Sequence, residues 1–155
     1  MLQTALHEDL EIRWTTVAIL DKPSFDRGVL LKESQTRRRL AAALSDLVAY
    51  RAESAQELSF GPRDLFELIG SLGADGAPAV PALLSFVKTR TKAAKDDDYD
   101  LRAAAEALGQ IGTEPERVVP ALLAALDHPH IGVRAVAARA IGKYGPRARF
   151  IEPRL

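Results

Sequence analysis

The amino-acid sequence predicts an all-α solenoid, about three antiparallel helix pairs stacked side by side with an N-terminal helix capping the first. Three observations carry that prediction. Hydrophobic residues make up 47% of the chain but aromatic residues only 6%, so alanine and leucine, both strong helix formers, supply most of the apolar content. Apolar positions recur three and four residues apart, the period of a helix that buries one face. Blocks of letters also return at fixed offsets, which marks a repeated structural unit.

Taken in chain order, residues 1–33 form a cap and connector: Leu2, Leu6, Leu10, Trp14 and Val17 or Ala18 make one stripe that ends before Pro23. Terminal units of a stack depart from the repeat because one of their faces meets water. Residues 34–73 read as a divergent repeat. In it a helix over Thr36–Arg51 carries Leu40, Leu44, Leu47 and Val48 on one face, and Pro62–Leu72 is its partner. Residues 74–112 and 113–145 are the clearer repeats. Ala79-Val80-Pro81-Ala82-Leu83-Leu84 returns as Val118-Val119-Pro120-Ala121-Leu122-Leu123 at an offset of 39, and Glu106 to Gly112 returns as Arg139 to Gly145 at 33. Leu68 to Gly73 is a fainter copy, 39 residues ahead of Ala107 to Gly112.

Each unit divides into two helices. The first is expected to bury Val119, Leu122, Leu123 and Leu126, with Pro81 and Pro120 in the opening turns, where a missing N–H costs nothing. The second is expected to bury Val133, Val136 or Ala137, Ala140 and Tyr144. Gly73, Gly112 and Gly145 suit left-handed C-caps, and Asp127-His128-Pro129-His130 is a turn short enough to force an antiparallel return. At the far end, Ile151, Pro153 and Leu155 repeat Val118, Pro120 and Leu122 at an offset of 33. Residues 146–155 are therefore either a tail over the last stack or the start of a further repeat.

These letters resemble the HEAT-repeat family, in particular its short bacterial, phycobilisome-lyase-like variety. The resemblance is strongest over Val118 to Gly145, where Asp127, Val133, Arg134, Ala137, Ala138, Ala140 and Gly142 fall in the family's pattern. Over Val80 to Gly112 Arg102 stands one residue closer to its terminal glycine than Arg134 does, and the turn between helices is six residues longer. The resemblance implies that Asp127 and Arg134 are a structural ladder, binding neighbouring helix ends and each other. It also implies a scaffold that holds another macromolecule.

Composition narrows the function classes. The chain contains no cysteine, which removes disulfides, thiolate zinc sites and cysteine nucleophiles. Basic and acidic residues number 21 each, so the net positive field of a typical nucleic-acid binder is absent. Charges at His7, Glu8, Asp9 and Glu11 interrupt the stretch a signal peptide needs, and no apolar run reaches the roughly 20 residues of a membrane-spanning helix. The expectation is a soluble, cytoplasmic protein that does not engage membranes.

No arrangement of residues presents a catalytic constellation, a cofactor loop or a metal-ligand set, so the reading is non-enzymatic with no cofactor. His128 and His130 flank Pro129 as turn residues, and the Arg37-Arg38-Arg39 triplet reads as a solvated face paired with acidic neighbours. Two places are left for partner contact. One is the concave face made by the second helices, with Arg102, Glu106, Gln110, Arg139 and Lys143 directed outward. The other is the lengthened acidic turn at Asp96, Asp97, Asp98 and Tyr99, because insertions in repeat arrays map to exposed loops. The leading expectation is a protein–protein interaction scaffold or adaptor. The alternatives are a nucleic-acid-binding module, motivated by Arg37 to Arg39, Arg102, Arg134, Arg139 and Arg147, and a tetrapyrrole-protein lyase or chaperone, motivated only by the repeat subtype.

Overall fold

The computed structural model describes residues 34–53, 62–93 and 99–150. Within them lie α1 (Ser34–Glu53), α2 (Pro62–Ser71), α3 (Val80–Ala93), α4 (Tyr99–Ile111), α5 (Pro115–Ala125) and α6 (Ile131–Tyr144). Two 3-10 segments, Gly73–Ala79 and Gly145–Phe150, follow α2 and α6. The cap expected over residues 1–33 and the segment 151–155 are outside the described residues.

The helices form two layers. α1 packs on α3 and α3 on α5, while α2 packs on α4 and α4 on α6; the pairs α3–α4 and α5–α6 join the layers. Leu44, Leu47, Val48, Leu65, Ile69, Leu83, Leu101, Leu108, Leu122 and Val133 fill the space between them and are all buried. This alternation is what a period of 3.6 dictates when each helix has one apolar stripe and its neighbours in sequence run antiparallel. Contact between α1 and its expected partner α2 is slight, because the 3-10 segment lies along α1.

That segment is held by a cluster that sequence reading did not find. The buried carboxylate of Asp75 accepts hydrogen bonds from Ser34 Oγ, Arg37 Nε (2.6 Å) and Arg38 Nε (3.2 Å), and Ser45 Oγ donates to the Pro78 carbonyl (3.2 Å). Arg37 and Arg38, near the N-terminus of α1, oppose the helix dipole, and the carboxylate against them offsets that repulsion. The hydrogen bond from Ser34, then that from Arg37, holds the Asp75 carboxyl below the usual carboxylate range. Two members of the basic triplet are thus bound to an acid 38 and 37 residues away in sequence.

Gly73, Gly112 and Gly145 all have positive φ, 56°, 64° and 52°, which glycine adopts without a Cβ penalty; Gly145, with ψ of −130°, departs from the left-handed helical cap expected for it. Two details of the first helices differ from expectation. α5 begins at Pro115, so Pro120 lies inside the helix, one turn beyond the opening turn expected for it. Pro115 takes the first position, after Glu114 turns into it with φ of 52°. The buried face of α5 is also rotated: Val118, Val119, Ala121, Leu122 and Ala125 are buried, whereas Leu123 is 38% exposed.

Between units the chain is fastened by Tyr144. Its hydroxyl donates toward the carbonyls of Leu108 (2.8 Å) and Thr113 (3.2 Å), joining the end of α6 to the end of α4. Burial pushes this phenol up to about 12, with the Arg147 charge opposing the rise and the Glu114 charge adding to it. The neutral form is therefore the one the fold favours. Its contribution to stability is complete below the ordinary value of 10.0 and is lost as pH rises from there to about 12. Tyr144→Phe is expected to cost about 1–1.5 kcal/mol at neutral pH and to flatten the alkaline loss, both read from urea unfolding across that pH range.

Candidate functional site on the concave layer

The second helices α2, α4 and α6 form a continuous layer, and a cleft of about 270 Å³ opens on its outer face. Its floor is Phe66 from α2, Ala103 and Ala107 from α4, and Val136 from α6; Glu67, Tyr99, Arg102, Glu106, Gln110 and Arg139 form its walls and rim. The helices come close because small residues face each other. A Cβ on Gly70 would lie 3.1 Å from Ala107 Cα, and one on Gly109 would lie 2.9 Å from Ala140 Cα. Gly70 and Gly109 are 39 residues apart, and Ala107 and Ala140 are 33 apart, so the repeat offsets reproduce one contact twice.

Glu106 sits at the centre of the polar wall. It accepts from Arg139 Nη2 (2.7 Å) and Nε (3.1 Å) on one oxygen and from Lys143 Nζ (2.6 Å) on the other. Burial alone would raise its carboxyl, but the hydrogen bonds and charges of Lys143 and Arg139 outweigh that and leave it below its ordinary value of 4.5. The cluster is therefore ionised at neutral pH and is discharged only as pH falls through that lowered value. Exposed ion pairs contribute about 0–1 kcal/mol to stability. Arg139 is 63% exposed, so the main effect of the cluster is to fix charges in place.

Tyr99 opens α4 with 64% of its surface exposed, and the Arg102 guanidinium lies 4.1 Å from its ring centroid. Four of the concave residues expected from sequence, Arg102, Glu106, Gln110 and Arg139, thus line one cleft, with Lys143 bound to Glu106 beside it. Tyr99, expected in the acidic loop, joins the same cleft, while Asp96, Asp97 and Asp98 lie outside the described residues. Sequence reading missed Phe66 and Glu67; Glu67 stands 39 residues ahead of Glu106, and the repeat offset could have found it.

The expected ladder needs correction. Arg134 Nη1 donates to the carbonyls of His128 (2.9 Å) and Pro129 (2.6 Å) rather than to Asp127, which is exposed. The turn directs those two carbonyls toward the first turn of α6, and a side chain on a helix leans toward the N-terminus, so the guanidinium meets them first. His128 is buried within that turn, where its Nδ1 accepts the His130 N–H (3.1 Å).

The family model described as HEAT repeats matches residues 87–152, from the end of α3 through α6. No curated protein and no solved structure matches the chain. Six described helices in two layers and glycine stops at repeat spacing agree with this match, which assigns HEAT repeats to residues 87–152.

Proposed function

We propose that the protein is a non-catalytic scaffold or adaptor that binds a protein partner through the concave face of α2, α4 and α6 and the adjoining inter-helix loops. HEAT repeats are commonly protein-interaction scaffolds. The observation that carries the proposal for this chain is the cleft itself, where an exposed tyrosine and two arginines surround an apolar floor. Those residue types dominate the energetics of protein interfaces. Arg102, Glu106, Gln110, Arg139 and Lys143 are the proposed contact residues, joined by Tyr99 from the loop. No described helix is long and apolar enough to cross a membrane, and we assign the adaptor to the cytoplasm.

Less supports the nucleic-acid alternative. Of its motivating residues, Arg37 and Arg38 are bonded to Asp75, Arg134 to the turn carbonyls and Arg147 Nη1 to the Gly112 carbonyl (3.1 Å). Two glutamates line the cleft where phosphates would have to lie. The tetrapyrrole-lyase alternative gains nothing, since the family match is to HEAT repeats at large.

Site-specific photo-crosslinking in cells tests the proposal. A photoreactive residue at Ala103 or Gln110 is expected to give discrete protein adducts, and the same residue at the exposed Ala124 on the opposite layer is not. Adducts at neither face, or equally at both, would refute it.

A further inference from the structure

We infer that α5 and α6 present a docking face for a second copy of this chain, so that two copies meet through Leu123, Leu126, Ala138 and Ile141 about a two-fold axis. The face shares no residue with the cleft, and a dimer built on it carries two clefts.

Comparison of equivalent positions marks out the face. Within the two layers α5 packs on α3 and α6 on α4, and no further helix lies beyond them among the described residues, whereas α3 and α4 have a helix on either side. At the offset of 39, Leu84 and Val87 on α3 are buried, but their counterparts on α5 are not: Leu123 is 38% exposed and Leu126 half-buried. At the offset of 33, Ala105 and Leu108 on α4 are buried, while on α6 Ala138 is exposed and Ile141 half-buried. A Cβ on Gly109 would stand 2.9 Å from Ala140 of the next helix, whereas one on its counterpart Gly142 meets nothing within 4 Å. These positions recur three and four apart, so each helix turns one stripe toward the same side. Ala124 lies outside it, since its counterpart Ser85 is exposed even with a helix on either side of α3.

The same comparison specifies what covers the face. Solenoid faces that meet water are polar, but this one keeps Leu, Leu, Ala and Ile where α3 and α4 bury Leu, Val, Ala and Leu. In the interior of the array α3 and α4 are covered by the pair α5–α6. A helix pair of this repeat is therefore what fits, and a second copy supplies one. Leu123, Leu126, Ala138, Ile141 and Gly142 are all uncharged, so the face can meet its own image without like charges in opposition. Arg134, one turn before Ala138, is engaged by the carbonyls of His128 and Pro129. A surface that pairs with itself in this way closes at two copies. Helices of 11 and 14 residues, each about 10 Å across, present roughly 400 Å², about half of what each partner contributes to a standard interface. The dimer is accordingly weak and concentration-dependent.

Sedimentation equilibrium of the full chain tests this. Between about 10 μM and about 1 mM the mean mass is expected to climb from that of one chain toward that of two and to stop there, while the methyl NMR signals of Leu123, Ala138 and Ile141 shift with concentration. Ala138→Glu and, separately, Leu123→Glu set a carboxylate against its own image and are expected to weaken association about tenfold or more, with thermal unfolding showing that each variant keeps its fold. Ser85→Glu, on the outer surface of α3, is expected to leave the dimer unchanged. A single-chain mass throughout would overturn the inference and leave the face to a helix pair of another protein. Growth beyond two copies, methyl shifts confined to other surfaces, or a dimer that survives substitution at both Ala138 and Leu123 would overturn it as well.

Discussion

Gly109→Ala is expected to lower the melting temperature while Gly142→Ala raises it, although the two glycines are equivalent positions 33 residues apart in the repeat. Alanine is favoured over glycine within a helix by about 1 kcal/mol. At Gly142 nothing lies within 4 Å of the added Cβ, so a gain of about 0.5–1 kcal/mol remains. At Gly109 the Cβ would stand 2.9 Å from both Cα and Cβ of Ala140, and since one of these is backbone, α4 and α6 must separate. Overpacking of this kind costs about 1–3 kcal/mol and sometimes more. We expect a net loss of about 2 kcal/mol for alanine, or roughly 4–8 °C in a chain of this length, and a larger loss for Gly109→Val, which adds bulk without the helix preference. Thermal unfolding followed by circular dichroism checks the sign at each site. Matching signs would show that the close approach of α4 and α6 does not govern stability.

Phe86→Ala is expected to be the most damaging single truncation, at about 3–5 kcal/mol, a large fraction of the 5–15 kcal/mol that holds a typical domain together. Phe86 on α3 and Phe66 on α2 are both fully buried, with ring centroids 5.0 Å apart and planes inclined at 52°. Arg90 also packs near the Phe86 ring, its guanidinium 5.7 Å from the centroid. At the repeat offset of 39 the positions matching Phe66 and Phe86 are Ala105 and Ala125, so this large pair, one ring from each of two successive units, is not repeated there. Its removal leaves a cavity that small neighbours cannot fill. Urea denaturation should show a lower midpoint for Phe86→Ala and a smaller shift for Phe86→Leu, and an unchanged midpoint would contradict the role given to the pair.

The parts of the fold that depend on local rules were legible in the letters. The glycine stops at 73, 112 and 145 follow from backbone conformation at a single residue, and the α6 stripe of Val133, Ala137, Ala140 and Tyr144 follows from helical period. Where the cue was local but ambiguous, the reading went astray. Pro120 fits a first turn, yet Pro115 provides a better one, and of the two stripes the period allows, the one through Val118, Ala121, Leu122 and Ala125 is buried while Leu123 is exposed. The site shows the same division. Repeat geometry placed Arg102, Glu106, Gln110 and Arg139 on one face, but no local rule reveals that Glu106 takes both Arg139 and Lys143, or that Asp75 gathers Ser34, Arg37 and Arg38. Those contacts join residues 33 to 41 apart and exist only once the layers are in register.

The glycine–alanine seams between the second helices bear on association itself. Gly70 against Ala107 and Gly109 against Ala140 bring the helix backbones into close contact, so the layer that carries the cleft has little room to shift when a partner arrives. Ordering side chains and loops is a main entropic cost of forming an interface. On this surface that cost falls on the long side chains of the rim, and Glu106 lowers it by holding Arg139 and Lys143 in place before contact.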